Sequence, residues 1–154
     1  MMESAVDVVV VGAGSAGAGA ALACARRGLS VVCVDGRDLD GAGARWINAL
    51  PHALFAPANL PLPVPPVLVS RPEPLVMIAG WGPDRIRIAD TGMFEVDMRL
   101  FVADLQQQAR QHGADLRGRT RVHGWRPDGR GGAWVDTDQG ALRARHVIDA
   151  SGLG

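Results

Sequence analysis

The sequence predicts an α/β fold: a parallel βαβ sheet, an inserted Pro-rich loop and a small antiparallel β-meander. Three observations predict it. A β-branched run from Val6 to Val11, broken only by Asp7, leads through glycines into an Ala-rich stretch and then a second apolar run. Eight of the ten prolines fall between Pro51 and Pro74. Beyond residue 120 short alternating segments are separated by Gly, Pro and Asp.

Each element has a local reason. A near-continuous run such as Val8 to Val11 suits a strand buried on both faces. Residues 15–27 are good helix formers, and Arg26, Arg27 and Gly28 read as a helix C-terminus. Residues 30–35 form a second buried strand, so strand, helix and strand make a parallel crossover. Residues 36–75 read as loop, because the prolines exclude a long helix or a central strand. Residues 75–79 and 85–89 are strand-like, with Gly80, Gly82, Pro83 and Asp84 as the turn. Residues 98–112 carry Leu100, Phe101, Leu105 and Ala109 at helical spacing, and Gly113 stops them. Strands are expected near 120–126, 133–138 and 141–145, then a separate buried strand over 146–150.

Composition removes several classes of function. The 154 residues are 47% hydrophobic and 21% charged, which excludes a disordered chain and a coiled coil. Sixteen basic and sixteen acidic residues balance, so charge points to no nucleic acid and no anionic membrane. All the basic residues are Arg, and Lys and Tyr are absent. That excludes a Schiff-base lysine, a phosphate-loop lysine and a Tyr/Lys dehydrogenase pair. Cys24 and Cys33 form no CxxC pair and no disulfide framework. The four histidines lack metal-ligand spacing, so no metal is expected. No apolar run approaches the roughly 18 residues of a membrane span. A cytoplasmic protein is expected.

Gly12-Ala13-Gly14-Ser15-Ala16-Gly17 is a GxGxxG motif that follows a strand and opens a helix. Gly12 permits the tight turn, Gly14 lets a pyrophosphate approach the backbone, and Gly17 lets helix and strands pack closely. First-turn N–H groups bind the anion. Asp35, 23 residues after Gly12, can accept hydrogen bonds from ribose hydroxyls and repels a 2′-phosphate. The motif therefore predicts dinucleotide binding.

The spacing of later elements resembles FAD-dependent oxidoreductases of the glutathione-reductase-like fold. The closer likeness is to the branch of aromatic-ring hydroxylases, geranylgeranyl reductases and flavin-dependent halogenases. Four stretches carry it: Asp7 to Gly17 with Asp35, Gly41 to Arg45, Asp97 to Ala114, and His146 to Gly152. The resemblance implies a Rossmann-like FAD-binding domain over 1–154. Gly12, Gly14, Ser15 and Gly17 would hold the pyrophosphate and Asp35 the adenosine ribose. Arg45 and Arg99 would lie beside the FAD phosphates or the flavin edge. Val122, placed in the strand after Gly113, would contact the adenine. Ala150 and Gly152 would flank the cofactor.

The resemblance also implies an incomplete domain, because the family continues into a substrate domain and a Gly-Asp segment. The expectation is an FAD-binding portion inactive alone, with no catalytic residue assigned. The alternatives are an NAD-dependent dehydrogenase domain and a non-catalytic piece that docks on a separate chain supplying the missing half.

Overall fold

The computed structural model describes residues 5–71 and 73–152. In chain order the elements are β1 (Val6–Val11), α1 (Ser15–Ala25), β2 (Val31–Val34), β3 (Ile47–Pro51), β4 (Leu68–Ser70), β5 (Leu75–Ile78), β6 (Arg85–Ile88) and β7 (Met93–Asp97). They continue with α2 (Met98–Gln111), β8 (Asp115–Arg117), β9 (Val122–Pro127), β10 (Ala133–Thr137) and β11 (Gly140–Asp149). The chain divides into two units, one of Met1–Arg45 with Phe101–Gly154 and one of Trp46–Leu100.

The first unit is built on a six-stranded sheet in the order β8-β2-β1-β11-β10-β9. The four strands β8, β2, β1 and β11 pair in parallel, and β11, β10 and β9 pair antiparallel. The α/β expectation with its parallel βαβ start is met. Every residue of β2 is buried, as the β-branched run requires. Val9, Val32, Val34, Val135 and Ala144 form a core cluster, and Val147 and Val122 pack against it.

Helix α1 stops two residues before the predicted end. Arg26 and Arg27 lie just beyond it, and Arg27 donates through Nη1 to the Ala23 carbonyl at 2.7 Å. A cation still satisfies a terminal acceptor, from outside the last turn. The buried face of α1 is Gly17, Ala18, Ala21, Leu22 and Ala25, and all but Leu22 are small residues that allow close approach to the sheet.

The two strands predicted over 141–145 and 146–150 are one. Strand β11 runs unbroken for 10 residues, because nothing between Arg145 and His146 can turn the chain. Its first half pairs with β10 and its second half with β1, so a single strand joins the meander to the parallel sheet.

The β9–β10 turn is closed by Asp128, whose side chain is only 4% exposed. It accepts from the N–H groups of Arg130 and Gly132 at 2.7 and 2.9 Å, and from Arg143 Nη2 at 2.7 Å. The Arg130 N–H first, then the Arg143 guanidinium and the Gly132 N–H, hold this carboxyl at about 2 instead of its usual 3.8. A carboxyl depressed in the folded state stabilises the fold above its unfolded value, and the contribution is lost as pH falls through the folded value. Thermal melts should therefore steepen in their pH dependence between about pH 4 and 2. Asp128→Asn should flatten that window and lower the melting temperature at neutral pH.

The second unit corrects the reading of residues 36–75 as loop. Strands β3 and β4 flank β7 in a three-stranded antiparallel sheet, β3-β7-β4. Pro51 sits at the end of β3, where a missing N–H costs least. Phe94 and Val96 of β7 are buried between exposed neighbours, the alternation of a one-sided strand. Strands β5 and β6 form a separate two-stranded hairpin with every residue exposed. Asp97 accepts from the N–H groups of Arg99 and Leu100 at 3.0 and 3.2 Å, which caps the start of α2.

Candidate functional site

The turn from β1 into α1 places most of the predicted residues together in the first unit. Gly12 has φ +97°, and a Cβ there would lie 2.4 Å from the Ala150 carbonyl oxygen. Its N–H donates to the Val34 carbonyl at 2.7 Å, which draws β1, β2 and the end of β11 to one point. A Cβ at Gly17 would lie 1.7 Å from the Gly12 carbonyl oxygen and 3.4 Å from the Ala150 Cβ. Gly12, Gly17 and Ala150 are thus a single contact, which only missing side chains permit.

Gly14 has a neighbour that sequence did not reveal. Its absent Cβ would lie 3.0 Å from the Gly43 Cα, and a Cβ on Gly43 would lie 2.9 Å from the Gly14 Cα. Two glycines let the loop 41–45 rest on the motif backbone, and Gly43 also has φ +76°.

Gly14 is the N-cap of α1 and offers no side chain to the first turn. The first intrahelical bond runs from the Ala18 N–H to the Gly14 carbonyl at 2.8 Å. The N–H groups of Ser15, Ala16 and Gly17 precede it and have no acceptor among the described residues. No acidic residue occupies this turn, so an anion meets the positive end of the helix without competition.

Asp35 follows β2 and closes the other side. One carboxylate oxygen accepts from the Ala13 N–H at 2.8 Å and the other from the Arg37 N–H at 2.9 Å. The carboxylate is fixed by backbone alone, and each oxygen keeps a lone pair for a further donor. Below it, Cys33 is fully buried, and burial first, then the Asp35 charge, pushes its thiol up to about 12. That thiol stays protonated at neutral pH and supplies no nucleophile.

Gln106 was missed by the sequence reading. It is buried in α2, and its Nε2 donates to the carbonyls of Ala13 at 2.8 Å and Leu39 at 2.9 Å. One amide therefore ties the motif to the chain that follows Asp35. The available signal was a polar residue on the stripe Val102, Leu105 and Ala109, all buried. Beside it, Asp38 and Arg119 pair at 3.0 Å, and Arg119 holds the Asp38 carboxyl below its usual range.

Arg45 is exposed and makes no ion pair among the described residues. Arg99 belongs to the second unit and pairs with Asp97 at 3.5 Å. Val122 is not in the strand after Gly113: that strand is β8, and Val122 opens β9, beyond a turn through Arg119 with φ +51°. Gly152 is exposed with φ +77°. Asp149, beside Ala150, is held below the usual carboxylate range by the Ser151 N–H and hydroxyl. Among the described residues no three His, Cys, Asp or Glu side chains are grouped to hold a metal. No helix of the described residues is long and apolar enough to cross a membrane.

Residues 7–59 match the family model described as an FAD binding domain. This range holds Gly12, Gly14, Ser15, Gly17, Asp35 and Arg45. The fold is that of FAD-binding proteins. A geranylgeranyl bacteriochlorophyll reductase-like protein of Thermoplasma acidophilum superposes with a TM-score of 0.80 at 21% identity, over 97% of this chain and 40% of its own. A variant of the halogenase PltM, in complex with FAD, gives 0.77 at 18% identity, over 98% of this chain and 35% of its own. NikD, an unusual amino acid oxidase, gives 0.71 at 22% identity, over 97% and 52%. The chain thus spans about two fifths or less of the first two. No curated protein matches it. The cofactor that the fold and the matched family support is FAD.

Proposed function

We propose that this chain is the FAD-binding portion of a flavin-dependent oxidoreductase of the monooxygenase or reductase type. The observation that carries it is the open first turn of α1 facing a carboxylate fixed by two backbone N–H groups. An anion and a pair of hydroxyls are what such a place binds, and the pyrophosphate and ribose of FAD supply them. Bound flavin supplies hydride acceptance, chemistry that no side chain provides.

In this reading the N–H groups of Ser15, Ala16 and Gly17 hold the pyrophosphate. Gly12 and Gly14 keep the turn and the loop 41–45 compact, and Asp35 accepts the ribose hydroxyls. Ala150 and Gly152 border the cofactor where β11 ends. Arg45 offers an exposed guanidinium to the phosphates. The adenine contact at Val122 and the flavin role of Arg99 rest on the family resemblance alone. A cytoplasmic location, consistent with two free cysteines, belongs to the same proposal.

A fluorescence titration tests it. FAD emission should change saturably on adding the 154-residue chain, and excess NAD should not displace it. NAD binding without FAD binding would overturn the reading in favour of a dehydrogenase domain.

A further inference from the structure

The two peptides that flank Ala13 are each held by one side chain. The Ala13 N–H donates to Asp35 Oδ2 at 2.8 Å, and the Ala13 carbonyl accepts from Gln106 Nε2 at 2.8 Å. Both residues are buried, Ala13 fully and Gln106 at 5% exposure. Gln106 is the one donor to the Ala13 carbonyl among the described residues. The Leu39 carbonyl, by contrast, also accepts from the Ala42 N–H at 3.3 Å. Carbonyl oxygens only accept, so the amide nitrogen is the end of Gln106 that must face them.

A consequence follows for Gly14. The peptide between Ala13 and Gly14 is trans, and in a planar trans peptide the N–H points opposite to the carbonyl. With the Ala13 carbonyl turned to Gln106, the Gly14 N–H points away from it. That N–H has no acceptor among the described residues, and it directly precedes the open N–H groups of Ser15, Ala16 and Gly17. Gly14 cannot fix this direction by itself, because a residue without Cβ tolerates rotation of the peptide before it. Such a rotation would turn a carbonyl, the negative end of the peptide, toward a bound anion.

We propose that Gln106 is a positioning residue for the cofactor. It holds the Ala13 carbonyl inward, and the Gly14 N–H thereby joins those of Ser15, Ala16 and Gly17 on the pyrophosphate. This inference rests on the cofactor reading above and adds a fourth donor to the anion site. The chemistry at residue 106 selects an amide. A carboxylate there would set negative charge against two carbonyl oxygens, and an apolar side chain would leave the buried Ala13 carbonyl without a donor. Asp35 braces the neighbouring peptide, so ribose acceptor and glutamine act on the same residue from opposite ends.

Gln106→Met tests it, because methionine is also unbranched and flexible and brings no N–H donor. Gln107→Met, at an exposed position of the same helix, is the control. One readout is the FAD dissociation constant from fluorescence titration. The other is the ¹⁵N–¹H residual dipolar coupling of Gly14 in the weakly aligned chain without FAD, which reports the direction of that N–H. Gln106→Met should raise the dissociation constant by about tenfold or more. It should also change the Gly14 coupling while those of β1 and β2 keep their wild-type values. Gln107→Met should match the wild type in both readouts.

An unchanged Gly14 coupling in Gln106→Met overturns the proposal, and so does a changed coupling with wild-type FAD affinity. Changes spread through β1 and β2 mark a purely structural role and overturn it too. A wild type that binds no FAD overturns the cofactor reading and Gln106 with it, whereas equal binding by wild type and Gln106→Met overturns Gln106 alone. Should Gln106→Met fail to fold, hydrogen exchange of the Gln106 side-chain amide in the wild type decides. Coupling is reciprocal, so a cofactor favoured by this bond also strengthens it. Exchange slowed severalfold by saturating FAD supports the proposal, and exchange indifferent to FAD overturns it.

Discussion

Gly17→Ala is expected to abolish FAD binding and to destabilise the first unit. The new methyl carbon would start 1.7 Å from the Gly12 carbonyl oxygen, which is backbone and cannot rotate away. Forced overpacking in a close contact costs about 1–3 kcal/mol and occasionally more, and a main-chain clash belongs at the upper end. For a chain of this size that corresponds to a fall of about 10 °C in melting temperature. Binding should suffer further, because relief of the clash moves the first turn of α1, where the free N–H groups lie. Differential scanning calorimetry and an FAD titration read the two effects separately. Gly19→Ala is the matched control: no atom lies within 4 Å of its Cβ position, and alanine is the better helix former. It should be neutral or slightly stabilising and bind FAD normally.

Asp35→Ala is the second large effect, and its balance is different. The substitution leaves the Ala13 and Arg37 N–H groups without their 2.8 and 2.9 Å acceptors. It also removes the acceptor proposed for the ribose. Hydrogen bonds to a charged group contribute about 1.5–3 kcal/mol each. FAD affinity should therefore fall by about 10–100-fold. Stability should fall as well, because water can reach the exposed Arg37 N–H but Ala13 is fully buried and its N–H is left without an acceptor. Asp35→Glu keeps the charge and should recover part of the affinity. Equal FAD affinity in Asp35→Ala and wild type would remove Asp35 from the site.

Much of this site was legible in the residues themselves. Val8 to Val11, the glycine spacing and Asp35 name a strand, a turn and an acid whose pairing is local, and the structure places them as read. Gly17 and Gly12 act through contacts that the motif already implies. Gly43 did not show itself, because its reason is the backbone of Gly14, far along the chain and outside any local pattern. Gln106 was hidden for a related cause. A glutamine on an apolar stripe looks like an imperfection until its two carbonyl partners, on distant segments, are known.

The strands that escaped sequence reading share a physical trait. Strands β3 and β4 are short, flank prolines and owe their existence to β7, whose buried Phe94 and Val96 supply the pairing surface. Strand formation here is tertiary, and propensity within either segment is silent about it. The continuity of β11 escaped because pairing changes at Ala144, from β10 to β1, without any break in the backbone. Residues 141–145 alternate and residues 146–150 do not, so the pattern changed while the strand went on.

The central claim is that the glycine turn and first turn of α1 hold the pyrophosphate of FAD, with Asp35 beside it. An NMR titration of the ¹⁵N-labelled chain with FAD tests it most directly. The amides of Gly14, Ser15, Ala16 and Gly17 should shift most, with Asp35 and Arg37 following them, and Gly17→Ala should abolish the response. FAD that leaves these amides unmoved, or moves chiefly those of β10 and β11, would contradict the account.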